Sequence, residues 1–167
     1  MQGADLAESW RSALKDRLSE PAAIVGIGNS QSGDDGVGPE VVRLLRGRTR
    51  AKLFDCQTAP ENFIGPIARA KPKCIVLVDA APMNEPPGAI AVLALECLHE
   101  ATFHTHASTP ALFLDLIVQR TGAQCFMVAV EPKQSALGAA MSPRVRSAAE
   151  ALADMIAQLL PPAENSP

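Results

Sequence analysis

Five side chains of this chain have types and spacings that can do chemistry: the adjacent carboxylates Asp34 and Asp35, a third carboxylate at Asp79, and the imidazoles of His104 and His106. The first two sit in Ile24-Val-Gly-Ile-Gly-Asn-Ser-Gln-Ser-Gly-Asp-Asp-Gly-Val-Gly38, which passes from an apolar strand through a glycine-rich turn to the start of a helix. One aspartate is accounted for as the cap of that helix, where a negative charge is favoured. Two are not. Neighbouring side chains diverge along an extended turn, so Asp34 is assigned to capping or orienting the loop and Asp35 to facing the cleft. Asp79 closes the apolar run Cys74-Ile-Val-Leu-Val. A strand-ending aspartate can be a simple cap, but the carboxyl edge of an α/β sheet is also where reacting groups gather, and there Asp79 can converge with Asp35. His104 and His106 flank Thr105 ahead of a helix. Two carboxylates and one imidazole suit a first-row divalent metal and leave coordination positions open, unlike a closed structural zinc site.

The elements that must hold these groups follow from hydrophobic periodicity. Leu6, Trp10, Leu14 and Leu18 recur every four residues, which predicts an N-terminal helix over about 5–18. Ala22 to Ile27 reads as a strand, Pro39 to Leu45 as a helix and Lys52 to Cys56 as a second strand. Ala59-Pro-Glu-Asn62 opens a further helix through Phe63, Ile64 and Ile67. Cys74 to Asp79 is a strand buried on both faces, since its apolar run is unbroken. Pro82, Pro86 and Pro87 make the next stretch a loop, leading to a short strand near Ala89 to Leu93. Leu98 to Ser108 reads as irregular and carries all three histidines. Ser108 or Thr109 then caps a helix containing Leu112, Phe113, Leu116 and Ile117, with Pro110 in its first turn. Cys125 to Val130 is a buried strand and Pro143 to about Leu160 a closing helix. Alternating strands and helices predict a three-layer α/β/α sandwich on a mostly parallel, five-stranded sheet, with room for an antiparallel edge. The divisions are an N-terminal helical extension (1–20), one α/β domain (21–160) and a polar tail (161–167).

Composition narrows the function. With 167 residues and 47% apolar content the chain fits one domain, and a formal charge of −3 with scattered Lys and Arg gives no basic face for nucleic acid. No basic start precedes an apolar run, and no apolar segment has membrane-spanning length, so a cytoplasmic protein without membrane insertion is expected. Cys56, Cys74, Cys97 and Cys125 show no C-x-x-C spacing and read as reduced packing residues. Gly26-x-Gly28 invites a dinucleotide site, but the third glycine of G-x-G-x-x-G would fall at Gln31. A phosphate loop would need Gly-Lys-Ser or Gly-Lys-Thr where this one has Gly-Asp-Asp-Gly. No organic cofactor is expected. Ser30 and Ser32 lack a marked base, and Cys56 and Cys125 fall in buried contexts, which argues against a serine or cysteine nucleophile.

Taken together, Gly26-Ile-Gly-Asn-Ser-Gln-Ser-Gly-Asp-Asp-Gly-Val-Gly-Pro39, Ala59-Pro-Glu-Asn62, Ile75-Val-Leu-Val-Asp79, Thr105-His106 and Val130-Glu-Pro132 resemble, in order, the motifs of the [NiFe]-hydrogenase maturation endopeptidases, most closely the hydrogenase 3 branch. The resemblance spans about Ile24 to Ile156. It implies a cytoplasmic endopeptidase that removes a C-terminal extension from the hydrogenase large-subunit precursor once nickel is in place. It also implies that Asp35, Asp79 and His106 form the catalytic and nickel-recognising set, with the metal supplied by the precursor. The expected state is a monomer or weak homo-oligomer.

Two other readings use the same residues. A receiver-like phosphoacceptor domain also has an acidic pair after its first strand, an aspartate ending its third and a lysine after its last. Lys133 nearly fills the last role, although it follows Pro132 rather than preceding it. A non-catalytic nickel-binding maturation chaperone could be built on the same fold.

Overall fold

A computed structural model of the chain describes residues 3–100 and 108–164. The elements in order are α1 (Gly3–Arg17), β1 (Ala22–Ile27), α2 (Val37–Leu45), β2 (Lys52–Gln57), α3 (Ile64–Arg69), β3 (Cys74–Ala80), β4 (Ile90–Ala94), α4 (Leu95–Glu100), α5 (Ser108–Thr121), β5 (Gln124–Val130) and α6 (Pro143–Leu159). Short 3-10 turns, Gly33–Gly36 and Pro60–Phe63, lead into α2 and α3.

The five strands form one sheet in the order β2-β1-β3-β5-β4. β1 runs parallel to β2 and β3, and β3 parallel to β5, while β4 closes the edge antiparallel to β5. The mostly parallel sheet with one reversed edge strand is the architecture expected from the alternating apolar runs. Side chains alternate cleanly across it. Ala22 and Ile24 of β1, Cys74, Val76 and Val78 of β3, and Phe126, Val128 and Val130 of β5 join one core with α1, α2 and α6. Ala23, Val25 and Ile27, Ile75 and Leu77, and Met127 and Ala129 face the other core, against α3, α4 and α5. Every residue of β1 is buried, because helices cover both faces of the central strands. Asp79 shares the parity of Ile75 and Leu77 and so points to the α3 and α5 side, where the sheet ends.

The differences from the sequence reading are local. Leu95–Glu100 is a helix that periodicity did not announce: six residues are too few to display a stripe, and Leu98 enters the core with Leu95 packed against it. His99 therefore belongs to α4 rather than to an irregular stretch. Cys97 on that helix is exposed and Cys125 only partly buried, so the packing role holds fully for Cys56 and Cys74. His104, Thr105 and His106 lie outside the described residues.

Candidate active site

Chain reversal at the middle of the sheet builds the site. From β1 the chain crosses to β2 on one side and later to β3 on the other, so the carboxyl ends of β1 and β3 splay apart at a topological switch point. The loop after β1 fills this crevice. Its approach depends on glycine at two places. Gly28 has φ +136°, and a Cβ there would stand 1.8 Å from the carbonyl oxygen of Asp35. At Gly38 a Cβ would lie 2.3 Å from the carbonyl oxygen of Ile27 and 2.4 Å from that of Val78, so α2 starts directly on the ends of β1 and β3. The pairing of β1 with β2 slips by one residue between Gly26 and Ile27, and the Gly28 N–H donates to the Gln57 carbonyl at 2.9 Å, which ends the strand pair at the loop.

The two neighbouring aspartates divide as their geometry demands. Asp34 is fully buried. Its Oδ1 accepts the Ser142 N–H at 2.6 Å, and its Oδ2 accepts the N–H of Lys133 at 2.8 Å, that of Gln134 at 3.1 Å and the Ser142 hydroxyl at 2.8 Å. Burial alone would raise its pKa, but these four donors outweigh it and hold the carboxyl below the ordinary carboxylate value. Asp34 is an anchor, joining the glycine loop to the segment after β5 and to the start of α6. No side-chain cap closes either the 3-10 turn or α2, so of the two roles open to Asp34, orienting the loop is the one it fills. Asp35 is only partly buried, and its Oδ2 accepts the Asn29 N–H at 2.8 Å, bending the loop back on itself.

Asp79, one residue from the end of β3, faces that loop. Its pKa is pushed up to about 8, first by burial and second by the negative charge of Asp35, with the Ala80 N–H opposing. Two like charges in a poorly solvated crevice cannot both ionise cheaply, so Asp79 keeps its proton at neutral pH. Sequence reasoning joined Asp35 to Asp79, and the electrostatic coupling shows that the fold brings them together. Among the described residues no three His, Cys, Asp or Glu side chains converge on one point, and the histidine expected to complete the set lies outside them.

The alternatives for covalent chemistry lose ground here. Burial, followed by the charges of Asp55 and Glu61, raises the Cys56 thiol to about 12, and burial beside Cys74 raises that of Cys125 to about 12. Neither forms a thiolate nucleophile near neutral pH. The Ser142 hydroxyl donates to buried Asp34, and the Ser30 hydroxyl donates to Gln57 Oε1 at 3.0 Å. Lys133 is exposed, and what it gives the acidic cluster is its backbone N–H to Asp34, not an ammonium group beside Asp79.

Sequence reasoning missed two features of the surroundings. Beside the glycine loop lies a cleft of about 460 Å³, lined by polar groups that include Glu40, Arg43, Asp55, Gln57 and Arg146. Glu40 binds Arg43 in two hydrogen bonds of 2.6 and 2.7 Å and lies 3.8 Å from Arg146. These residues come from three separated stretches of chain, and no linear spacing announces them. Glu131 is the second. It is buried although ionisable, and the sequence offered it only as the middle residue of the Val130-Glu-Pro132 motif, with no role attached.

A sequence model of the hydrogenase maturation proteases (HycI) matches residues 39–159, which takes in Asp79 and Glu131 and begins just after the glycine loop. The hydrogenase 3 maturation protease of Escherichia coli K12 is 30% identical over 104 residues, or 60% of this chain and 67% of that protein. The crystal structure of the [NiFe] hydrogenase maturation protease HycI from Thermococcus kodakarensis KOD1 superposes with a TM-score of 0.81 at 28% identity, covering 89% of this chain and 98% of that one. HybD from E. coli shares the fold at a TM-score of 0.65 and 20% identity, covering 83% and 88%. The chain, with its switch-point carboxylates and two-faced α/β sheet, therefore belongs to the hydrogenase maturation protease family and is a peptidase of hydrogenase maturation.

Proposed function

We propose that this peptidase removes a C-terminal extension from the large-subunit precursor of a [NiFe] hydrogenase after nickel insertion, and that Asp35, Asp79 and His106 meet the nickel the precursor carries. The metal is cargo of the substrate, and no resident organic cofactor is assigned. The observation that carries this reading is the burial of Asp79 in the crevice beside Asp35: burial first and the charge of Asp35 second raise Asp79 to about 8. Two carboxylates that hold a proton against their own repulsion are relieved when a divalent cation replaces it, and an imidazole completes a donor set with open positions. Docking would then depend on the metal. The polypeptide near the nickel lies beside the same groups: a cation polarises the scissile carbonyl or lowers the pKa of a water, and a carboxylate or His106 carries the proton. The match to a hydrogenase 3 maturation protease supports a hydrogenase precursor as the client.

Incubation with nickel-loaded and nickel-free precursor, reading the C-terminal mass of the large subunit, tests this. Loaded precursor is shortened and nickel-free precursor is not. Asp35→Ala, Asp79→Ala and His106→Ala each lower the rate by about 100-fold or more while the far-ultraviolet circular dichroism is kept. Loaded precursor that binds but stays uncut defeats the endopeptidase claim, and parental rates in all three variants defeat the site.

A further inference from the structure

Asp35 stands in the 3-10 turn after β1 and Asp79 near the end of β3, and something must fix their separation. The five residues Val130–Gln134, from the last residue of β5 onward, are bonded both to the loop that follows β3 and to the loop that holds Asp35. Toward β3, the Val130 carbonyl accepts the Ala81 N–H at 3.0 Å, two residues beyond Asp79. The Glu131 carboxylate accepts the Met83 N–H, and the Glu85 N–H at 3.3 Å. The Glu131 backbone meets the same loop again, its N–H donating to the Ala89 carbonyl at 2.9 Å and its carbonyl accepting the Gly88 N–H at 2.8 Å. Toward β1, the N–H groups of Lys133 and Gln134 bind Asp34 Oδ2, and the Gln134 carbonyl accepts the Asp34 N–H at 3.0 Å. Pro132 fixes its own φ and disfavours helical backbone at Glu131, which limits the ways this step can bend.

We propose that Val130–Gln134 is a crossbar setting the distance between Asp35 and Asp79, and that Glu131 is its positioning residue on the Asp79 side, as Asp34 is on the Asp35 side. Glu131 is nearly inaccessible, at 8% exposure, and its Oε2 meets two backbone N–H groups of a proline-rich loop that has no secondary structure of its own. A carboxylate is held in such a place by the donors it satisfies, and removing it takes away the acceptor that ties the Met83 and Glu85 N–H groups to the end of β5. The loop after β3 would then swing against β5, and the aspartate pair would lose its spacing. The inference rests on the nickel-reading role of Asp35 and Asp79, and it gives the Val-Glu-Pro motif a purpose.

The measurement is the ratio of affinities for nickel-loaded and nickel-free precursor, by titration calorimetry on the full chain. A variant that merely folds less well weakens both affinities equally and leaves the ratio alone. Glu131→Asp, one methylene short of the Met83 and Glu85 donors, and Glu131→Ala are expected to lower the ratio by about tenfold or more, since a misplacement near 1 Å is costly at a metal-reading site. Glu131→Gln keeps an oxygen acceptor and stays within about threefold of the parent. If Glu131→Ala does not fold, the Asp and Gln variants decide. Parental ratios in Glu131→Asp and Glu131→Ala, alongside a lost ratio in Asp35→Ala, overturn the crossbar and leave the nickel reading standing. A parental ratio in Asp35→Ala overturns the nickel reading and the crossbar together.

Discussion

Asp34 and Asp79 are both carboxylates at the carboxyl edge of one sheet, yet their surroundings drive their titration in opposite directions. For Asp79 the folded pKa of about 8 lies above its unfolded value, so the folded chain holds an extra proton between about pH 4 and 8. Stability falls as pH rises through that window. Asp79→Asn removes the ionisation, so thermal melts from pH 4 to 9 should show a flatter curve and, at pH 9, a gain on the order of a few kcal/mol over the parent. Curves that run parallel would contradict it. For Asp34 the sign is reversed: its contribution is present above the unfolded pKa and lost as pH falls through the lower folded one. Asp34→Asn sets an amide N–H₂ against donors, and at pH 7 urea unfolding should register a loss of about 2–4 kcal/mol. The division between the two neighbours was legible in the sequence, although the turn is 3-10 and not extended: with about three residues per turn, successive side chains still point apart. That Ser142 would meet Asp34 from 108 residues away was not.

The loop after β1 works because α2 begins so close to the strand ends that no side chain fits between them. Glycine at position 28 combines a positive φ with a carbonyl in the space a Cβ would take. Gly28→Ala must therefore push the Asp35 backbone out of the crevice, and processing is expected to fall about 100-fold with the sheet intact by circular dichroism. Gly47→Ala is the control: its φ of +73° is also positive, but a Cβ there meets nothing within 4 Å. That variant should lose only about 1 kcal/mol and keep full activity per folded molecule. Equal activity losses in the two variants would show that backbone strain, not access to the crevice, is what matters. Strands and long helices were readable from apolar runs, since β1 and β3 are buried on both faces and α6 carries Val145, Ala149, Leu152 and Ile156 inward. α4 was not, for want of length.

At the scale of the molecule two cores, one on each face of the sheet, share the work of stability, and the site sits where the sheet between them ends. Among the described residues, α1 contributes to one core. Trp10 and Leu14 are buried with α6 and the even-numbered side chains of β1, β3 and β5, while Arg11 stacks 4.5 Å from the Trp10 ring and covers it from solvent. The four-residue stripe announced this helix but not which face of the sheet it would cover, because that choice depends on the antiparallel β4 edge and on α6, both far along the chain. Its contacts lie away from Asp35 and Asp79, so its loss should be felt as stability and not as chemistry. Trp10→Ala leaves a cavity in the α1–α6 core and should reduce the unfolding free energy by about 3 kcal/mol in urea. Under conditions where the variant is folded, its kcat and KM for the precursor should match the parent's. A raised KM at full folding would instead make α1 part of the surface that receives the client, and the helix would have to be moved from the core's account to the substrate's.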